Sequence, residues 1–201
     1  VGCPSSKVKS GSFGAILMRN PDLVSKCVEA MKCSAKNMKV SVKCRIGVDQ
    51  QDPSVTLPDF ISSVSNGGAD YFIIHARKAI LSGLNPKENR TIPPLDYSIV
   101  KSMKENFPDL AICLNGGISS LDAASDLFSE GFDGVMLGRA SYYYPEIILS
   151  RVDSRLFGLG KPKNMIEVIS ELIPYIDEEL DFGTRLSQIT KHLMRAFLGY
   201  K

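Results

Sequence analysis

LAICLNGG, residues 110–117, is the stretch that decides the fold of this chain. Its first five residues are apolar, which is typical of a short β-strand buried on both faces of a sheet. The run then ends in Asn115, Gly116 and Gly117. A polar residue and two glycines directly after a buried strand predict a tight turn at which the backbone can closely approach a ligand.

Three more stretches predict strands: the continuous apolar run at residues 71–74, the alternating, β-rich stretch at 40–45, and residues 134–137. Apolar residues at helical spacing predict helices at residues 21–36, 57–64, 98–107, 120–130 and 147–152. This alternation of helices with apolar strands predicts a parallel α/β fold. Each strand ends in residues suited to chemistry: Lys43 and Arg45, His75 and Arg77, Asn115 to Gly117, and Gly138 with Arg139.

Two parallel α/β folds share this alternation, the doubly wound sheet and the (β/α)8 TIM barrel. A doubly wound sheet binds its ligand near one switch point and carries a glycine-rich turn after its first strand. The sequence contains no GxGxxG, and polar residues follow all four strands, which is the barrel pattern. Because a closed barrel needs eight strands and about 250 residues, we predict that residues 1–157 are the C-terminal half of a TIM barrel.

The remainder of the chain has a different pattern. Residues 158–163 contain glycine and proline and predict a linker. Beyond them, apolar residues recur at helical spacing within 168–176 and 186–198 and predict a small helical domain at residues 164–201. A half barrel leaves apolar strand edges uncovered. We therefore expect the 201-residue chain by itself to be poorly soluble or inactive, with the activity belonging to the full-length protein.

The composition excludes several classes of protein. The chain is 44% hydrophobic and 23% charged with a net charge of +2, so it lacks the strong positive field of many nucleic-acid-binding proteins. No apolar run approaches the roughly 20 residues of a membrane span. Five cysteines without a CxxC pair argue against a zinc site or a disulfide framework and fit a reducing compartment. We expect a cytoplasmic monomer without a metal, although an organellar transit peptide would precede Val1.

The residues after the last two strands predict a phosphate site. Glycines let backbone N–H groups approach an anion, and an arginine adds charge, so Asn115, Gly116, Gly117, Gly138 and Arg139 together suit a phosphate. In TIM barrels such a site is frequently formed by the loops after strands seven and eight. The structural alternative is a pair of tight turns with an arginine that only stabilises the fold.

Lys43 and His75 end two other strands and are best explained together. A lysine at the end of a buried strand needs an anionic or electron-rich partner. With a phosphate site downstream, the two residues suit donors to the ring of flavin mononucleotide (FMN), which has one phosphate and needs cations near N1 and O2. The alternatives are a salt-bridged lysine and a hydrogen-bonded core histidine.

Cys3 lies between Gly2 and Pro4, so we predict that it lies on a tight loop. An ordinary thiol is mostly protonated at pH 7 and can donate a proton during turnover. It can equally act as a nucleophile, and a free surface cysteine without a role is the structural alternative.

Several motifs, in order along the chain, resemble those of the tRNA-dihydrouridine synthase family. They are Gly2-Cys3-Pro4-Ser5, Lys43-Cys44-Arg45-Ile46-Gly47, Ile74-His75-Ala76-Arg77-Lys78-Ala79, Asn115-Gly116-Gly117-Ile118 and Gly138-Arg139-Ala140. The long polar stretch 81–95 contains GLNPKENR and IPPL, which resemble the A subgroup of that family. Loops of this length in compact domains are usually functional.

The resemblance implies an FMN-dependent TIM barrel followed by a helical tRNA-binding domain. It implies reduction of the C5–C6 double bond of tRNA uridines in the D-loop, with NADPH as the electron donor. Reduced FMN would deliver a hydride to C6, and Cys3 would protonate C5. Lys43 and His75 match flavin-ring contacts, the five residues of the predicted phosphate site match phosphate contacts, and Lys87 and Arg90 match tRNA contacts.

Two features of the family are absent from the sequence, a Pro-Met flavin contact and a Gln contact, and the Asn before Gly-Cys-Pro would precede Val1. Two rival functions remain open. One is an FMN barrel oxidoreductase that acts on a free pyrimidine, which would not need the Lys87 to Arg90 loop. The other is a non-catalytic tRNA-binding factor, against which the presence of Cys3, Lys43 and His75 argues.

Overall fold

The computed structural model describes residues 1–5, 10–35, 37–193 and 196. The chain forms two compact units. Unit 1 comprises Val1–Gly117 and Leu127–Met136, and unit 2 comprises Ile118–Asp126 and Leu137–Lys201. The predicted division into domains at 1–157 and 164–201 stays a prediction.

Unit 1 contains a parallel sheet of four described strands. They are β1 Ser41–Arg45, β2 Tyr71–His75, β3 Ala111–Asn115 and β4 Gly134–Met136, in the order β1-β2-β3-β4. Arg45 pairs with His75, His75 with Asn115, and Asn115 with Met136. The carboxyl ends of the strands therefore lie in one row, as the predicted alternation of strands and helices requires.

The two faces of this sheet differ in burial. Phe72, Ile74, Ile112 and Leu114 point to one side and are fully buried. Their neighbours along β2 and β3, including His75 and Asn115 at the strand ends, are only partly buried. The prediction of strands buried on both faces is thus wrong for one face. The alternating burial arises because successive side chains of a strand point to opposite faces, and the second face carries the polar strand ends.

The helices of unit 1 begin at clear capping residues. Helix α1 is Pro21–Ser34, α2 is Pro53–Asn66, α3 is Tyr97–Asn106, and a 3₁₀ helix covers Gly14–Arg19. Asn20, Asp52 and Asp96 cap α1, α2 and α3 by accepting from backbone N–H groups. Helix α2 begins before the predicted residue 57 because Asp52 and Pro53 form its start. The predicted end of α1, Lys36, lies outside the described residues.

Unit 2 contains several short helices and one long helix. Helix α4 is Leu121–Ser129, whose last three residues belong to unit 1; it is followed by α5 Arg139–Tyr143, α6 Pro145–Ile148, α7 Val152–Phe157, α8 Met165–Asp181 and α9 Leu186–Thr190. The predicted single helix over 147–152 is wrong, because residues 149–151 are a turn between α6 and α7. Pro145 begins α6, where a missing N–H costs nothing.

The predicted linker, 158–163, has no regular secondary structure. Helix α8 includes the first predicted helical stretch of the C-terminal domain, 168–176. Its N-terminus has a capping box formed by Asn164 and Glu167. Helix α9 covers the start of the second stretch, whereas Phe197 and Leu198 lie outside the described residues. None of the helices in the described ranges is long and apolar enough to span a bilayer.

Candidate active site

Lys43, His75 and Asn115 lie on the same face of the sheet, with His75 and Asn115 at the ends of β2 and β3. The prediction that Lys43 ends its strand is wrong, because Lys43 is the third residue of β1 and Arg45 is the last. Lys43 Nζ donates a hydrogen bond of 2.9 Å to Asn115 Oδ1, reaching from β1 past β2 to β3. Asn115 Nδ2 in turn donates to the Met136 carbonyl over 2.7 Å. Both ends of the Asn115 amide are therefore occupied, which fixes the orientation of this side chain.

Lys43 is a partly buried lysine whose ammonium group donates to the neutral Asn115 amide. Burial lowers the pKa of Lys43, the nearby Arg45 lowers it further, and the Cys44 thiol acts in the opposite direction. Among the described ion pairs none includes Lys43. Because an ammonium group has three donors, Lys43 retains hydrogen-bonding capacity beyond its bond to Asn115. The alternative of a salt-bridged lysine has no carboxylate to support it within the described chain.

His75 packs directly against Gly116. A Cβ atom placed on Gly116 would lie 2.5 Å from His75 Cδ2, and Gly116 has a φ of +116°. Gly117 follows with a φ of +73°, and a Cβ atom there would lie 2.6 Å from Leu95 Cδ1. Both positions therefore require glycine, for conformation and for space. The turn predicted from LAICLNGG is present and lies against the imidazole.

Cys3 lies on a loop, as predicted, and its side chain is exposed. Its carbonyl accepts a 2.9 Å hydrogen bond from the Ala15 N–H. Two residues earlier, the Val1 nitrogen donates to the Lys43 carbonyl over 3.0 Å. These two bonds fix the residues around Cys3 beside the end of β1, within the unit that holds Lys43 and His75.

Arg45 is a buried cation that is not among the predicted site residues. It is 3% exposed. Its Nε donates to the Gly2 carbonyl at 3.3 Å, and its Nη1 donates to the carbonyls of Asn89 at 2.8 Å and Lys78 at 3.2 Å. Arg45 thus connects the segment before Cys3 with two loops. The signal in the sequence is the second cation at the end of β1, two residues after Lys43.

The charge of Arg45 is not isolated. Burial lowers the pKa of Arg45 to about 10, with further lowering by Arg77 and Arg90 and a smaller opposing effect of Cys3. The charges of Arg77 and Arg90 thus disfavour the protonated form of Arg45.

Lys87 and Arg90 lie on the loop between β2 and α3, and both side chains are exposed. Glu88–Arg90 form a 3₁₀ helix within the stretch that the sequence predicts to be a loop. Between them Asn89 is fully buried. Its side chain accepts from the Ile80 N–H at 2.8 Å and donates to the Ile80 carbonyl at 2.9 Å. The buried amide holds the loop so that Lys87 and Arg90 remain on its outer side.

Gly138 and Arg139 follow β4 in the chain and belong to unit 2. Gly138 precedes α5, Arg139 is the first residue of that helix, and both are exposed. Their joint role with Asn115, Gly116 and Gly117 in a phosphate site stays a prediction, since those three residues belong to unit 1.

The family model and the most similar curated proteins point to the same family. A family model described as dihydrouridine synthase (Dus) matches residues 1–201. The chain is 50% identical over 199 residues to a tRNA-dihydrouridine(20/20a) synthase of Vibrio cholerae, covering 98% of this chain and 60% of that protein. It is 49% identical over 201 residues to the protein of the same name from Escherichia coli K12, covering 99% of this chain and 57% of that protein. The chain thus spans about 60% of the length of the curated relatives it matches.

Proposed function

The chain belongs to the dihydrouridine synthase family, and we propose that the protein is an FMN-dependent enzyme that reduces uridine to 5,6-dihydrouridine in tRNA. The observation that carries the proposal is the placement of Lys43, His75 and Asn115 on one face of the sheet, with Lys43 hydrogen-bonded to Asn115 and the Gly116–Gly117 turn against His75. The relatives are named for positions 20 and 20a. We propose uridines of the D-loop as the substrates and NADPH as the electron donor.

The residues present fit a flavin mononucleotide. Gly116 and Gly117 both have positive φ, and turns of this kind can direct backbone N–H groups at an anion, which suits a phosphate. The Lys43 ammonium has no carboxylate partner among the described residues and can donate to the electron-rich N1 and O2 region of a flavin ring. We assign Lys43 and His75 to the ring, and Asn115, Gly116, Gly117, Gly138 and Arg139 to the phosphate.

When bound in its reduced form, FMN would supply the hydride for C6 of uracil, with NADPH as the source of that hydride. Cys3 supplies the proton for C5. Its S–H bond breaks as the C5–H bond forms, which leaves a thiolate on the protein. Because Cys3 is exposed, water can return the proton to sulfur after the product leaves.

The target uridine must leave its stacked position to meet a flavin inside a barrel. Lys87 and Arg90 are exposed on a loop that Asn89 holds in place, so we assign them to contacts with the tRNA backbone. Arg77 and Arg45 add positive charge behind them. We propose that the enzyme acts in the cytoplasm, because its five cysteines are all free thiols, which fits a reducing compartment.

The full-length protein tests this proposal directly. We expect a yellow protein with the absorbance of a flavin, which converts uridine to dihydrouridine in unmodified tRNA when NADPH is supplied. A colourless protein that binds tRNA would instead indicate a non-catalytic binding factor. A yellow protein that oxidises NADPH with a free pyrimidine but leaves tRNA unchanged would indicate a small-molecule oxidoreductase.

A further inference from the structure

Tyr97 is not among the predicted site residues, yet it lies beside the Gly116–Gly117 turn. It is the first residue of α3, and its hydroxyl donates a hydrogen bond to the Gly116 carbonyl. The hydroxyl oxygen lies 3.2 Å from where a Cβ atom on Gly117 would stand. The hydroxyl group therefore hydrogen-bonds to the first residue of the turn and occupies the space beside the second.

This hydrogen bond determines where the next N–H group points. In a trans peptide the C=O of one residue and the N–H of the next point in opposite directions within one plane. With the Gly116 carbonyl directed at Tyr97, the Gly117 N–H is directed away from Tyr97. Within unit 1 no described residue accepts a hydrogen bond from that N–H, and Gly117 is exposed. The N–H is therefore available to an external acceptor.

A peptide between two glycines needs such an anchor. Glycine has access to conformations with positive and negative φ at little cost, so the Gly116–Gly117 peptide has alternative orientations that most residues would exclude. Only some of them present the Gly117 N–H to a ligand. A hydrogen bond to the Gly116 carbonyl favours one orientation before the ligand binds, and such preorganisation increases affinity.

Tyr97 is itself held firmly. The Asp96 side chain caps α3 by accepting from the Ile99 N–H at 3.1 Å. The Asp96 N–H donates to the Ala76 carbonyl at 2.8 Å, directly after β2. Burial raises the pKa of Tyr97, with a smaller opposing effect of Arg77, so the hydroxyl remains a donor at neutral pH. The anchor of the turn thus belongs to the rigid part of unit 1.

We propose that Tyr97 is a positioning residue that orients the Gly116–Gly117 peptide so that the Gly117 N–H meets the phosphate of the flavin nucleotide. Tyr97 does not contact the phosphate itself. This inference rests on the proposed function, because it requires a phosphorylated flavin as the ligand.

The test compares two flavins that differ in the phosphate. The full-length protein is stripped of flavin, and the dissociation constants of FMN and riboflavin are measured by fluorescence titration for the wild type and for Tyr97→Phe. Phenylalanine keeps the ring and removes only the hydroxyl group. We expect the FMN dissociation constant to rise about 3- to 10-fold, as for loss of one hydrogen bond, while the riboflavin constant stays unchanged.

Tyr71→Phe is the matched control. Tyr71 is the first residue of β2, at the opposite end of the strand from His75, and no described residue forms a hydrogen bond with its hydroxyl. We expect this variant to bind both flavins as the wild type does. The thermal unfolding midpoints of the flavin-free proteins verify that both variants are folded.

Each result has a distinct meaning. A wild type that binds neither flavin, or binds both equally, overturns the proposed phosphate site and the role of Tyr97 with it. A wild type that prefers FMN, combined with a Tyr97→Phe variant that loses affinity for both flavins to the same extent, shows a general structural role and overturns this inference alone. A variant that binds FMN as tightly as the wild type also overturns it.

Discussion

Lys43 and Asn115 are joined by a 2.9 Å hydrogen bond that passes the end of β2 and connects β1 to β3. This bond links the two halves of the proposed flavin site. Lys43 is assigned to the ring, and Asn115 directly precedes the glycine turn assigned to the phosphate. Because Asn115 is also bonded to the Met136 carbonyl, the position of the ammonium depends on three strands of the sheet.

Lys43→Met tests two effects of this lysine, the loss of stability from burying its ammonium group and the gain in FMN binding. Burial lowers the pKa of Lys43, so the folded protein binds its proton less tightly than the unfolded chain does. Stability therefore increases with pH as the pH approaches 10.5, the ordinary value, from below. We expect Lys43→Met to raise the unfolding midpoint of the flavin-free protein, to remove that increase with pH, and to weaken FMN binding by about 10-fold or more. A less stable variant with unchanged FMN affinity would contradict the assignment.

Gly116→Ala tests the contact between the turn and His75. An alanine at this position must adopt a φ of +116°, and its Cβ atom would lie 2.5 Å from His75 Cδ2. We expect a loss of about 2–4 kcal/mol in the free energy of unfolding, measured with urea, and weaker FMN binding. Gly131→Ala is the control, because Gly131 has a φ of +97° but nothing within 4 Å of an added Cβ atom. Equal losses in the two variants would show that only backbone strain is involved.

Arg45→Lys tests whether the buried guanidinium positions the Cys3 segment. A lysine keeps the charge but cannot donate to the Gly2, Asn89 and Lys78 carbonyls together as the planar guanidinium does. We expect a loss of about 1–3 kcal/mol in the free energy of unfolding. We also expect a slower rate of uridine reduction at saturating FMN. A variant of wild-type stability and rate would show that the Cys3 segment is held by other contacts.

The burial of Cys44 predicts how the free energy of unfolding depends on pH. It is fully buried, and burial raises its pKa to about 12 from the ordinary value of 9.0. The folded state thus retains a proton that the unfolded chain releases above pH 9.0, so this contribution to stability is present below pH 9.0 and is lost as the pH rises towards 12. Cys44→Ala should reduce the decline of unfolding free energy between pH 9 and 11, relative to the wild type.

Thiol labelling tests the burial of Cys44 at neutral pH. Cys3, Cys27 and Cys33 are exposed, whereas Cys44 is buried. We expect the three exposed thiols to react with an alkylating reagent in the native protein and Cys44 to react only after unfolding. Rapid labelling of Cys44, detected by mass spectrometry of peptides, would contradict its position in the core.

The sheet and the row of polar strand ends are predictable from sequence because both depend on local pattern. A run such as 110–114 identifies a strand without reference to the rest of the chain, and parallel strands bring their carboxyl ends to one edge. Lys43, His75 and Asn115 follow from those two facts. The predicted barrel fold and the family resemblance are confirmed by the match over residues 1–201, and the similarity to tRNA-dihydrouridine(20/20a) synthases supports the A subgroup.

The roles of Arg45, Asn89 and Tyr97 are not predictable in the same way. The bond from Arg45 to the Asn89 carbonyl joins residues 44 positions apart, and the bond from Tyr97 to Gly116 joins residues 19 apart. No local pattern distinguishes a cation that donates to backbone carbonyls from one at the surface. The helix predicted over 147–152 fails for a related reason, since its apolar spacing continues across the turn at residues 149–151.

The rate of dihydrouridine formation by the wild type and by Cys3→Ala tests the proposal that this protein reduces uridine in tRNA with Cys3 as the proton donor. The full-length proteins, loaded with FMN, are incubated with unmodified tRNA and NADPH, and dihydrouridine is measured by mass spectrometry of the nucleosides. We predict that the wild type forms dihydrouridine and that Cys3→Ala binds FMN normally but is slower by about 100-fold or more, as for loss of a proton donor. Equal rates for the two proteins, or no dihydrouridine from the wild type, would contradict the account.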